Sequence, residues 1–183
     1  MREVKLDTYK VVIKIGASQF KQIAWYIISL FFFQNSLLIP TSLKSKLLRL
    51  FGATIGKNVN FKPSIQIKYP WKLSIGDNSW IGEDVWIDNL EPVVIGENCC
   101  LSQGAMILTG SHDPMKSTFD YIGLPVTLQD GVWIGAKAVV SLGVVCGSHS
   151  LLSVGSVVEK DMEPYVIYKG NPAMPVLIRN ILQ

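Results

Sequence analysis

Only two histidines and three cysteines occur in the 183 residues, and that scarcity closes off two kinds of chemistry. Two of the cysteines, Cys99 and Cys100, are adjacent, so a disulfide framework has nothing to build on, and no cysteine–histidine spacing suits zinc. The chain is expected to carry no metal and to work in a reducing cytoplasm. Charge is also scarce: 17% of residues are charged, 17 basic against 14 acidic, and no block of five like charges occurs. Bulk electrostatics therefore give no reason for a nucleic-acid partner. There is no GxGxxG or P-loop motif, so nothing supports a dinucleotide or ATP site.

Apolar surface, by contrast, is abundant. Apolar residues make up 49% of the chain and the mean hydropathy is +0.31, which implies one extensively buried core with appendages. The run Ile23 to Phe33 (IAWYIISLFFF) has one polar residue, Ser29, and its apolar character extends to Ile39 before Pro40 ends it. A spanning helix needs roughly 20 predominantly apolar residues, and this run falls short. It is also unlike a secretory signal, because Glu3 and Asp7 precede it and no small-residue cleavage site follows cleanly. Two readings stay open: a helix covering the core, or a helix lying in a membrane interface. Lys44, Lys46 and Arg49, interleaved with Leu43, Leu47, Leu48 and Leu50, form a basic amphipathic segment that suits an anionic membrane surface or a solvated helical face. The expected location is thus the cytoplasm, with peripheral contact at the inner face of the cytoplasmic membrane under the second reading.

From Ile55 onward the chain repeats every six residues. Starting at Ile55, Ile75, Ile95, Leu128 and Cys146 and stepping by six gives fifteen positions, all apolar: Ile55, Phe61, Ile67, Ile75, Ile81, Ile87, Ile95, Leu101, Ile107, Leu128, Ile134, Val140, Cys146, Leu152 and Val158. The position four later is mostly small or β-branched, with Ser79, Cys99, Ala105, Ser111, Ala138, Ser150 and Ser156 among its occupants, while Trp71, Glu91 and Met162 break the rule. Six is neither the helical period nor simple alternation, so short strands turning at regular corners are expected. About five coils of three hexads result, with inward aliphatic ladders and three flat faces. The expected organisation is an apolar N-terminal segment and cap over 1–54, the coils over 55–163 with a mobile loop inserted at about 110–127, and a C-terminal extension over 164–183 ending in a short helix.

The tandem pattern aliphatic, Gly, x, x, small, x resembles the hexapeptide repeat of the left-handed parallel β-helix acyltransferases. The segments LLRLFGATIG, WIGEDVWIDN, SQGAMILTGSHDP and YKGNPA are similar to the colanic-acid-type exopolysaccharide O-acetyltransferases, the WcaF-like group, relatives of the maltose and galactoside acetyltransferases. The resemblance implies acetyl transfer from acetyl-CoA to a sugar hydroxyl, in a homotrimer with sites at the subunit boundaries. His112, at the end of the hexad Ile107 to His112 and at the root of the insertion, is the candidate general base, since imidazole has the right unperturbed pKa. Asp113 is expected to orient it, and Asp88 or Asn89 to bind acceptor hydroxyls. The acceptor-binding asparagine of the relatives corresponds to Ile81, which points to a polymer-linked or lipid-linked sugar. By the same resemblance the donor lies against Trp133, Ala136, Val154 and Lys160, with Arg179 in place of the family's basic residue after the Asn-Pro-Ala turn.

Trp80, Trp86 and Trp133 end their hexads and are expected to point outward on one face, where a trimer contact or an acceptor groove would use them. Cys99 and Cys146 read as core thiols and His149 as an exposed corner residue. Two other classes share such a repeat: a non-catalytic scaffold, and a γ-type carbonic anhydrase, for which two histidines are too few.

Overall fold

Strands of two or three residues joined by four-residue corners produce the six-residue period in the computed structural model, which describes residues 3–10 and 12–182. Coil one holds β1 (Thr54–Ile55), β2 (Asn60–Phe61) and β3 (Gln66–Ile67); coil two β4 (Leu73–Ile75), β5 (Trp80–Ile81) and β6 (Trp86–Asp88); coil three β7 (Val93–Ile95), β8 (Cys100–Leu101) and β9 (Met106–Leu108). A hairpin, β10 (Gly110–His112) and β11 (Tyr121–Gly123), intervenes. Coil four holds β12 (Val126–Leu128), β13 (Trp133–Ile134) and β14 (Val139–Val140), and coil five β15 (Val145–Cys146), β16 (Leu151–Leu152) and β17 (Val157–Val158); β18 (Val166–Gly170) and β19 (Ala173–Ile178) follow.

Stacking the coils makes three parallel sheets. The first is β1-β4-β7-β12-β15, the second β2-β5-β8-β13-β16 extended by β18, and the third β3-β6-β9-β14-β17. The register joins Ile55, Ile75, Ile95, Leu128 and Cys146 in one ladder, Phe61, Ile81, Leu101, Ile134 and Leu152 in the next, and Ile67, Ile87, Ile107, Val140 and Val158 in the third. All fifteen repeat positions are buried. The glycine that follows six of the fifteen ladder residues is explained by close stacking: a Cβ on Gly76 would lie 2.6 Å from the main chain of Gly96 in the next coil.

Several expectations are corrected. Met162, out of place as a corner, instead bridges Cys146 in the first ladder, and Tyr168 of β18 stacks on Leu152 in the second, so a partial sixth turn follows the five coils. Ser111 is an exposed hairpin residue and not a corner, because the coil is left at Thr109, which takes the buried corner position. The C-terminal extension is not a helix: Pro172 and Pro175 remove the donors a helix needs, and β19 pairs antiparallel with β18. The tryptophans lie on two faces, Trp80 and Trp133 flanking Cys100 on the second sheet and Trp86 between Gln66 and Met106 on the third.

The upper end of a β-helix leaves main-chain groups unpaired on all three faces, and the N-terminal segment supplies their partners. Helix α1 (Gln19–Phe32), capped by the Ser18 hydroxyl, buries Trp25, whose Nε1 donates to the Ile67 carbonyl at 2.9 Å. Helix α2 (Thr41–Leu50) starts after Pro40 and lies across the first two faces. Its Arg49 donates to the carbonyls of Ile55 and Gly56 at 2.8 to 3.0 Å, and Lys44 donates to the Lys62 carbonyl at 2.8 Å. Lys44 is fully buried and its pKa is lowered by that burial. Two of the three expected lipid-facing cations are thus committed to capping the first coil, and Lys46 alone of the three is exposed on α2 without such a bond.

Candidate active site

The hairpin leaves the stack at the corner between the third and first sheets, below Asp88 to Pro92 of coil two. Its root is fixed by Thr109, whose hydroxyl donates to the Asp88 carbonyl at 3.0 Å and accepts from the Glu91 amide at 2.9 Å. Tyr121 packs against Gly110, with its hydroxyl 3.3 Å from the Glu91 carboxylate; burial and that carboxylate push its pKa up to about 12, so it stays a neutral donor. The N-terminal segment holds the other side through the Lys5 amide donating to the Ser117 carbonyl at 2.8 Å, and is itself tied to the stack by the Trp71 indole donating to the Ile15 carbonyl at 2.7 Å. The insertion is therefore an ordered hairpin rather than a loose loop.

His112 ends β10, half-buried and opposite Tyr121. Its ring stacks on Phe119, with centroids 4.2 Å apart and planes 10° off parallel, and meets the edge of Tyr9 at 5.3 Å. The imidazole Nδ1 lies 2.8 Å from the Phe119 carbonyl oxygen. A carbonyl can only accept, so the proton of the neutral ring sits on Nδ1 and Nε2 is left with a bare lone pair. Phe119 holds this geometry at φ +53, a left-handed conformation that bulky residues rarely adopt. The only sequence trace of this partner is an aromatic residue seven positions after the histidine.

Other candidates have different tasks. Asp113 does not orient the imidazole: its carboxylate accepts from the Met115 amide at 2.9 Å, closing the hairpin turn. Asn89 is fully buried and exchanges two hydrogen bonds with the main chain of Tyr69, which ties two corners together and removes it from any ligand. Asp88 remains accessible at the rim of a cleft of about 450 Å³ and pairs with Lys68 at 2.7 Å. Gln22, Tyr26, Gln66, Tyr69 and Trp86 are among the other walls of that cleft. Ile81 is fully buried in its ladder and faces no acceptor.

Trp133, Ala136 and Val154 form one patch. Trp133 lies outward on the second sheet with its indole donating to the Ser102 hydroxyl at 2.9 Å, and Val154 is 70% exposed at the corner stacked below Ala136. Lys160 is exposed one corner further on, on the His112 side. Arg179 is not free for a phosphate, because its Nη1 donates to the carbonyls of Gly131, His149 and Ser150 at 3.0 to 3.3 Å while the guanidinium covers the Trp133 ring. Cys99 is buried with its pKa pushed up to about 11, chiefly by burial, and Cys146 is raised in the same way; both are inert thiols. His149 is half-buried, packed against Tyr165. Among the described residues no group of three or more His, Cys, Asp or Glu is placed to hold a metal ion.

A family profile described as the hexapeptide repeat of succinyl-transferase matches residues 72–108. The chain is 35% identical over 161 residues, 88% of its own length and 88% of the relative's, to the putative colanic acid biosynthesis acetyltransferase WcaF of Escherichia coli K12. A solved galactoside acetyltransferase in complex with coenzyme A superposes with a TM-score of 0.78 at 25% identity, covering 87% of this chain and 81% of that one. A hexapeptide-repeat-containing acetyltransferase of Vibrio cholerae, VCA0836, complexed with acetyl coenzyme A, shares the fold at a TM-score of 0.81 and 24% identity over 91% of this chain and 92% of its own.

Proposed function

The chain belongs to the hexapeptide-repeat acetyltransferases, in the WcaF-like group, and on that premise we propose that it moves an acetyl group from acetyl-CoA directly to a sugar hydroxyl in surface-polysaccharide synthesis, with His112 as general base. The observation that carries this reading is the bond from Nδ1 to the Phe119 carbonyl, which leaves Nε2 of the neutral ring unprotonated. The acceptor hydroxyl attacks the thioester carbon as Nε2 takes its proton. The tetrahedral intermediate then collapses, the carbon–sulfur bond breaks, and the imidazolium returns the proton to the departing CoA thiolate. The acetyl ester and free CoA are the products.

The placement of the candidates supports a shared site. His112 projects at the corner between the third and first sheets, whereas Trp133, Ala136 and Val154 border the corner between the second and third. Residues at different corners of one coil stack face each other most simply across a boundary between neighbouring subunits, as in the homotrimer that the family resemblance implies. For the acceptor, the cleft beside Asp88 offers aromatic faces of Tyr26, Tyr69 and Trp86, against which the C–H face of a sugar packs, and amides and an ion pair for its hydroxyls.

The test is His112→Ala. The wild-type chain should release CoA from acetyl-CoA in the presence of sugar acceptors. The variant should lose about two to four orders of magnitude in rate, the range of a general base, with acetyl-CoA binding and melting temperature unchanged. Full activity in the variant removes the assignment.

A further inference from the structure

We propose that the outer face of the N-terminal cap docks on an anionic lipid bilayer, a property independent of acetyl transfer. The inner face of α1 is occupied by its contacts with the first coil, through Trp25 and Ser29. The outer face is the more apolar one. Phe20 is 82% exposed, Phe31 68% and Leu38, in the turn after the helix, 90%, and Ile23, Ile27 and Leu30 complete the stripe. From Gln22 to Leu43 there is no charged residue at all. A helix with this stripe has the composition of one lying in the headgroup region, while no helix among the described residues is long and apolar enough to cross a membrane.

Charge identifies the occupant. Between Asp7 and Asp77 the chain has no acidic residue but ten lysines and arginines. Residues 1–54 carry eight basic and two acidic side chains, a net of +6, against nine basic and twelve acidic, a net of −3, over residues 55–183. Lys10, Lys14 and Lys46 on the cap and Lys57 and Lys62 on the first coil are exposed. A second copy meeting this face through a twofold contact would set like charges against each other, whereas an anionic bilayer neutralises them. In a parallel trimer the three caps share one end and present one platform to one plane. Ile23 and Tyr26 belong both to this face and to the wall of the cleft beside Asp88, so docking sets the mouth of that cleft at the lipid surface.

Flotation of the full chain with vesicles of equal parts phosphatidylglycerol and phosphatidylcholine tests this. Binding should fall steeply with salt and be at least about tenfold weaker to phosphatidylcholine alone. The double variant Phe31→Asp with Leu38→Asp, both exposed, should lose about tenfold or more in partitioning at unchanged melting temperature, and Lys14→Glu with Lys46→Glu should lose about tenfold as well. A milder variant, Phe20→Ser, should show an intermediate loss. No binding by the wild type, binding indifferent to lipid charge, or a Phe31/Leu38 variant that changes the oligomeric mass but keeps its vesicle binding overturns the proposal. None of these readouts depends on acetyl transfer, so failure of the catalytic assignment leaves them interpretable.

Discussion

Through the first three coils of the stack, residues 20 positions apart meet in register on every face, Ile75 on Ile95 and Ile81 on Leu101, whereas the β10–β11 hairpin pairs neighbours antiparallel, His112 opposite Tyr121. The stack repeats one solution: an inward aliphatic, a stacked glycine, a small corner. Each coil sees only the coil above and below, which builds stiffness but no special geometry. The hairpin repeats nothing. It holds Phe119 at φ +53 and aims its carbonyl at Nδ1 of His112, which leaves Nε2 of that ring free. Periodicity supplies the scaffold, and the candidate base stands where the period is interrupted.

The largest effect expected from this contrast is in the stack. Ile134→Asp buries a carboxylate with no partner in the second ladder and should cost several kcal/mol, enough to unfold the chain. Lys137→Asp, at an exposed corner with φ +56 that aspartate tolerates, should melt like the wild type. Equal melts for the two would break the register. In the hairpin the expectation reverses: Phe119→Gly relieves the backbone but removes the stacked ring, and should lower kcat by about tenfold while shifting stability by less than about 1 kcal/mol. A rate loss that merely tracks a loss of folded protein would merge the two regions.

Smaller effects sharpen the boundary. Arg49→Ala leaves the Ile55 and Gly56 carbonyls without their charged donor and should cost about 1 to 3 kcal/mol in a denaturant melt. It should leave acetyl transfer per folded molecule unchanged. The smallest is a pH effect. The Cys99 thiol has its pKa raised from 9.0 to about 11 by burial, so the folded state favours the protonated form. The stability this contributes is whole below pH 9 and declines as the pH rises from 9 towards 11, because the unfolded thiol ionises first. Cys99→Ala should flatten that alkaline decline, and iodoacetamide at neutral pH should leave Cys99 and Cys146 unlabelled in the folded protein.

Much of the fold could be read directly. The ladder positions were legible because an inward position six residues after another must be apolar, and Ile107 to Leu128 locates the interruption by its length alone. Met162 misleads at the sequence level because the final corner is two residues shorter than the hexad step requires, which moves it from a corner to a ladder. His112 was legible from its place at the edge of the interruption. Phe119 was not, since nothing in an aromatic residue's identity announces the direction of its carbonyl.

What the sequence determines by itself, then, is the coil register and the place where it breaks, because burial selects residue type at fixed spacing and spacing is visible in one dimension. The fate of the polar side chains was decided only in three dimensions. Arg49, Lys44, Asn89 and Arg179 look like residues for a lipid, a sugar or a phosphate. In the folded chain each satisfies main-chain groups that the β-helix would otherwise leave unpaired, at Ile55, Lys62, Tyr69 and Gly131. Asp88, beside Asn89 in the sequence, keeps a carboxylate at the cleft, while its neighbour makes the bond to the preceding coil. An unpaired carbonyl is created by the stacking of coils and not by any local pattern, so only the assembled structure fixes which donor it takes.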